Sequence, residues 1–183
     1  MPKVHHIKSA RQDYPENGIK KGDSYYKWSL KTGPKSGQIF RSKTYPKPAQ
    51  LTSSPFMQDF FGIEEDITNL AFDDAEDLAV SLDDIISQIE QLRDNTQDSL
   101  DNIPDNLREG HVAQLLQERI DALDNWVSEL QNIDTDFQFD EEEPSDSATD
   151  EEHNQWLERR REAELDFVQG AIGEIQSVGV EMP

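Results

Sequence analysis

The chain has 183 residues, a formal net charge of −22, 34% hydrophobic residues and no cysteine. Disulfides, thiolate nucleophiles and thiolate metal sites are excluded, and a large spherical core is not expected from so few apolar side chains. The charge is polarised: residues 1–50 hold 11 Lys/Arg against 3 Asp/Glu, about +8, while residues 51–183 hold 6 against 36, about −30.

Residues 1–22 are polar and basic, and read as an extended or loosely held arm. Ser24–Lys31 then alternates aromatic and polar residues, Thr32–Gly37 is a cluster of turn formers, and Gln38–Thr44 alternates again. Two such segments around a Gly/Pro turn predict a β-hairpin. The period of two puts Tyr26, Trp28 and Leu30 on one face and Tyr25, Lys27, Ser29 and Lys31 on the other. Pairing Trp28 with Phe40 would leave one side aromatic and the other basic, with Arg41 and Lys43 among the cations. An isolated hairpin is marginal in water, so the aromatic side must dock on something.

Tyr45-Pro46-Lys47-Pro48 is an extended connector. Ser54 then reads as a helix N-cap, with Pro55 at the first helical position. Phe60, Ile63, Ile67 and Leu70, then Ala71, Ala75, Leu78, Leu82, Ile85, Ile89 and Leu92, follow at spacings that alternate between three and four within each run. That seam predicts one long helix over 55–101, weakest near 72–75. A second helix from Pro104 to about residue 133 carries Val112, Leu116, Ile120, Leu123, Val127 and Leu130. The short connection makes the two helices antiparallel neighbours. Residues 134–149 are Asp/Glu/Ser-rich, and the run Asp140–Glu143 is expected to stay solvated and mobile, with Phe137 and Phe139 free to tuck onto the helices. Thr149 and Glu152 fit a capping box that opens a third helix over about 150–178.

The fold class is therefore mainly α: long helices forming an antiparallel hairpin or a three-helix coiled-coil-like bundle, with a small basic N-terminal β-hairpin module. Four segments are expected: arm and hairpin (1–50), acidic helical hairpin (51–133), acidic flexible linker (134–149), and third helix with tail (150–183).

Catalysis is not expected. The carboxylate pairs sit on predicted helices and read as solvated faces, and a thin bundle offers little burial to shift their pKa values. His5 and His6 lie in the basic arm; His111 and His153 lie near helix starts without a ligand-type partner spacing. No EF-hand, phosphate loop or nucleophile elbow is present, so no cofactor and no metal are expected. No apolar run is long enough to span a membrane, and the N-terminus lacks the apolar core of a secretory signal.

The basic module carries the stronger signal. Lys20, Lys21, Lys27, Lys31, Lys35, Arg41 and Lys43 can neutralise phosphates, and Tyr25 and Trp28 can stack on unpaired bases if exposed. Three competing readings stay open: the aromatics build a small core, the basic arm lies on the chain's own acidic helices, or it docks on another subunit. On the acidic side, Asp73, Asp74, Asp83, Asp84, Glu141 and Glu142 are candidates for a protein partner. Rows of carboxylates can also imitate DNA phosphates, which would make the chain an inhibitor of a nucleic-acid enzyme; the plainer alternative is solubility. An assembly role with self-association through the first helix is a third class.

Met1–Arg11, Gly18–Trp28 and Arg41–Thr52 resemble the opening of small uncharacterised proteins of tailed bacteriophages, over roughly residues 1–56. The resemblance transfers no site residues. It implies a phage accessory protein acting in the host cytoplasm on a host protein or nucleoprotein. The aromatic hairpin with its Gly turn and trailing Arg41-Ser42-Lys43-Thr44 also resembles arm-type DNA-binding modules of phage integrases. The third strand and the helix of such a module are not read from this sequence.

Overall fold

Strands β2 (Tyr25–Ser29) and β3 (Ile39–Ser42) pair antiparallel with Trp28 opposite Phe40, which is the register that sorts aromatic from basic side chains. This is a computed structural model, and it describes residues 2–145 and 147–183. A third strand, β1 (His5–Ile7), pairs antiparallel with the other edge of β2, giving the sheet order β1-β2-β3.

Residues 2–22 are thus built into the sheet module rather than held as a loose arm. Ala10, Ile19 and Tyr25 are buried together, with Ile7 and Tyr14 packed against them. The chain reaches this small core by folding back on itself. A 3-10 turn at Pro15–Asn17 ends at Gly18 with φ +63°, and Tyr14 bridges Ile19. Gly22 N–H donates to the Ala10 carbonyl at 2.9 Å, and Ala10 N–H donates to the Asp23 carbonyl at 2.8 Å. Single apolar residues spaced this irregularly carry no period, so the sequence pattern gave no sign of them.

On the aromatic face, Trp28 stacks on Phe40 with ring centroids 5.7 Å apart. Its indole N–H donates to the Gln50 carbonyl at 3.1 Å, and Leu51 is buried. The 3-10 turn Pro48–Leu51 therefore belongs with the sheet. The chain divides into two compact units, residues 1–64 and 65–183, and a boundary at residue 50 is not observed. Gly33 explains how the hairpin turn fits: its φ is +81°, and a Cβ there would lie 2.8 Å from the Ser53 Cβ.

Helix α1 (Pro55–Thr68) starts as the sequence indicates, with the Ser54 Oγ accepting the Met57 N–H at 3.4 Å. It does not run on to residue 101. A separate helix, α2 (Ala75–Asp101), begins where Asp74 accepts the N–H groups of Glu76 at 2.8 Å and Asp77 at 3.1 Å. An N-cap needs extended backbone, which breaks the helix there. The freed carbonyls at the end of α1 are met by Gln176 Nε2, which donates to Ile67 and Thr68. The continuous seam that self-association through one long helix would use is interrupted over 69–74.

Helix α2 buries Leu78, Leu82, Ile85, Ile89 and Leu92 as its period requires. Buried Thr96 satisfies its hydroxyl by donating to the Leu92 carbonyl at 2.7 Å. Helix α3 (His111–Gln131) starts later than the sequence suggests, because residues 105–107 form a 3-10 turn. Its inner face holds Ile120, Leu123, Trp126, Val127 and Leu130. In the first turn Ala113 is buried and Val112 is 63% exposed, because two successive four-residue steps back from Ile120 turn about 80° off the buried row, whereas a step of seven turns only about 20°. Helix α2 packs against α3 and also meets α4 (Asp150–Ser177). Arg93 joins α2 to α3 through Asp124 at 3.2 Å.

Thr149 and Glu152 form the expected capping box of α4. The acidic segment before it is fastened rather than free. Phe137 meets Phe167 with centroids 5.6 Å apart, Phe139 meets Trp156 at 5.7 Å, and the Trp156 indole donates to the Glu141 carbonyl at 3.3 Å. Aromatic burial here outweighs the repulsion among neighbouring carboxylates. No helix is long and apolar enough to cross a membrane among the described residues.

Leu123→Ala should destabilise the protein by about 2–5 kcal/mol, whereas Val112→Ala should stay within about 0.5 kcal/mol; urea denaturation of both variants separates the buried from the exposed seam position. Glu152 is held below its ordinary value of 4.5, first by the Thr149 N–H and then by the Thr149 hydroxyl. A depressed folded value means that this contribution is complete above the unfolded value and is lost as pH falls through the folded one. Thr149→Ala should raise the Glu152 titration midpoint towards 4.5, read by NMR titration of the carboxyl group.

Candidate nucleic-acid interface

The two faces of the sheet have different chemistry. Cross-strand partners share a face, so His6 and Tyr26, and Trp28 and Phe40, lie on one side. His6 stacks on Tyr26 at 4.9 Å, and exposed Tyr45 meets the Tyr26 edge at 5.4 Å. His5, Lys27 and Arg41 lie in register on the other side.

The module uses its few carboxylates for structure. Asp13 accepts the Lys21 N–H at 2.6 Å, and Asp23 accepts the Lys20 N–H at 3.0 Å. Asp23 also pairs with Lys43 at 3.0 Å. The Lys20 N–H, and then Lys43, hold the Asp23 carboxyl below its ordinary value. Lys43 is thereby partly neutralised, while Lys20 and Lys21 present exposed side chains on a turn fixed by two acids.

Arg41 is held differently. Its guanidinium lies over the Tyr14 ring, 4.3 Å from the centroid, and its Nε is shielded from solvent with no hydrogen-bond partner. The neighbouring Tyr25 phenol is pushed up by burial and by Tyr14, an effect that Arg41 opposes. Among the described residues, no carboxylate forms an ion pair with Lys27 or Arg41.

The proposed stacking residues are not available. Tyr25 is 6% exposed and Trp28 4%. Both serve as core, Tyr25 packed with Ala10 and Ile19 and Trp28 stacked on Phe40. Lys31 and Lys35 are exposed in and beside the hairpin turn. His5, which stands beside Lys27, was missed because three residues of strand are too short to show a period.

The acidic candidates also separate. Asp74 is spent on capping α2, and Glu141 pairs with Arg159 at 2.9 Å. Asp73, Asp83, Asp84 and Glu142 are exposed. No cluster of three or more His, Asp or Glu suited to a metal ion occurs among the described residues.

Comparison of the chain with protein-family models, with curated proteins and with solved structures finds no match.

Trp28, Trp126 and Trp156 are all below 9% exposed. Tryptophan fluorescence should therefore be blue-shifted and poorly quenched by iodide in the native protein. A red, fully quenchable fraction in the native state would contradict the burial of Trp28.

Proposed function

We propose that this chain is a non-enzymatic interaction protein whose basic unit contacts nucleic acid and whose acidic helical unit takes a protein partner. The observation that carries the proposal is the pair Lys27 and Arg41 on one sheet face, which no carboxylate among the described residues neutralises, in a unit where Asp13 and Asp23 are engaged elsewhere. Residues 1–64 hold 11 Lys/Arg against 5 Asp/Glu, a net +6. Side chains of this type neutralise phosphates and release condensed counterions. The third strand supports the likeness to arm-type modules, which lacked one on sequence grounds.

The acidic unit, residues 65–183, holds 6 Arg against 34 Asp/Glu, a net −28. In this reading α2, α3 and α4 form a three-helix bundle, with α2 and α3 antiparallel. The bundle presents outward carboxylates such as Asp83 and Asp84 to a basic protein surface. The resemblance of residues 1–56 to phage-encoded proteins supports an accessory role in an infected cell.

The full chain should bind a mixed pool of short duplex and single-stranded nucleic acids at ~50 mM salt and release it by ~200 mM. Electrophoretic mobility across that range is the measurement, and the absence of any complex at the low end would refute the nucleic-acid half of the proposal. Affinity capture after nuclease treatment should retain a protein partner.

A further inference from the structure

His5 stands opposite Lys27, and Lys27 stands opposite Arg41, so three side chains that carry or accept positive charge form one row across the sheet. Strands lie ~4.8 Å apart, which makes the row about 10 Å wide. Like charges directly opposite one another destabilise a sheet. Nothing in the pairing demands them, and a serine or threonine at residue 27 would fit the same backbone. The acids of the sheet module offer no relief: Asp23 is held by Lys43 and the Lys20 N–H, Asp13 by the Lys21 N–H, and among the described residues Glu16 makes no ion pair with the row. The cost stands unless an anion from outside lies across the row.

The form of that anion follows from the rest of the face. Ser29 and Ile39 continue it beyond Lys27 and Arg41, and both are exposed. Tyr25, the aromatic residue on this side of β2, is buried under Ala10 and Ile19. Apart from the His5 imidazole at its edge, the row therefore offers no exposed ring for a base to stack on, whereas single-strand binding relies on aromatic platforms. Arg41 is already oriented by Tyr14, so little ordering remains to be done when it meets a phosphate.

We propose that the His5–Lys27–Arg41 row binds the sugar–phosphate backbone of double-stranded DNA, an inference that rests on the nucleic-acid reading above. A duplex presents one charge per ~1.7 Å of axis, the density that a close row of cations matches best. The B-form major groove is wide and open, about 12 Å across, so the backbones that flank it are accessible from outside. The A-form groove of duplex RNA is deep and narrow. Contacts to phosphate position a protein without reading sequence, so binding is indifferent to base composition. The net charge of −22 opposes approach from a distance, but charges beyond ~8 Å are screened at physiological salt, which leaves contact to the local row.

The test uses the full chain and fluorescence anisotropy with three labelled probes of equal length: mixed-sequence duplex DNA, one of its strands, and the matching RNA duplex. Duplex DNA should bind tightest, and AT-rich and GC-rich duplexes should bind alike. Lys27→Gln and Arg41→Gln should each weaken binding and each lower the slope of log affinity against log salt by about 0.9. Lys8→Gln, outside the row, should keep the parent slope. Thermal melting of Lys27→Gln should not fall, since a like-charge contact is removed, and this guards against misfolding as the cause.

Preference for the single strand or the RNA duplex would overturn this site's assignment while leaving a nucleic-acid role intact. Equal losses for Lys8→Gln and Lys27→Gln would do the same. Concentration-dependent self-association abolished by Lys27→Gln, without any probe bound, would make the occupant a second copy and overturn both readings. Failure of every probe at low salt would also overturn both.

Discussion

With hydrophobic residues at 34% of the chain, apolar surface is scarce, and that scarcity organises the whole molecule. Each helix offers a single apolar row, and the sheet buries an aromatic side that must be covered by chain outside the sheet. Part of the solution is to fasten large aromatic side chains to chain close by. Trp28 is closed off by Phe40 and by a hydrogen bond to the Gln50 carbonyl. Trp156 is closed off by Phe139 and by a hydrogen bond to the Glu141 carbonyl. In both places a nominal linker becomes a lid, because an aromatic ring with one polar atom needs both an apolar contact and an acceptor.

The same scarcity separates structural from available charge. Carboxylates near backbone N–H groups are drawn into turns and caps, as Asp13, Asp23, Asp74 and Glu152 show. Those on the outer helix faces, such as Asp83 and Asp84, have no such duty. Among cations, Lys43 and Arg159 are in ion pairs, and Lys27 and Arg41 form none with the described carboxylates. Counting charges by segment describes the polarity of the chain correctly but cannot tell which charges are already engaged. Hydrogen-bond partners make that distinction.

Much of the helical architecture could be read directly. The Ser54-Pro55 start, the Thr149–Glu152 box and the rows Leu78–Leu92 and Ile120–Leu130 depend on local spacing and capping, which operate over one or two turns. The break at 69–74 was harder to see. The apolar pattern continues through Leu70 and Ala71, and only the capping of α2 by Asp74 reveals that the backbone leaves the helix. The acidic segment 134–149 misled for a related reason: its composition speaks for solvation, while two phenylalanines decide the outcome through contacts with distant Phe167 and Trp156.

The opposite charges of the two ends, the helical periods and the alternation that pairs Trp28 with Phe40 follow from the sequence alone, because each is set by residues near one another in the chain. The tertiary structure decided what those residues are free to do. Adding β1 to the sheet brought His5 beside Lys27, and packing Ala10 and Ile19 onto Tyr25 removed the ring that was to have stacked on a base. Both events join segments whose contact depends on burial across the fold. No local pattern marks Ala10, Ile19 and Tyr25 for burial together, and it is that burial which turned a scatter of lysines and aromatics into one cationic face and one aromatic core.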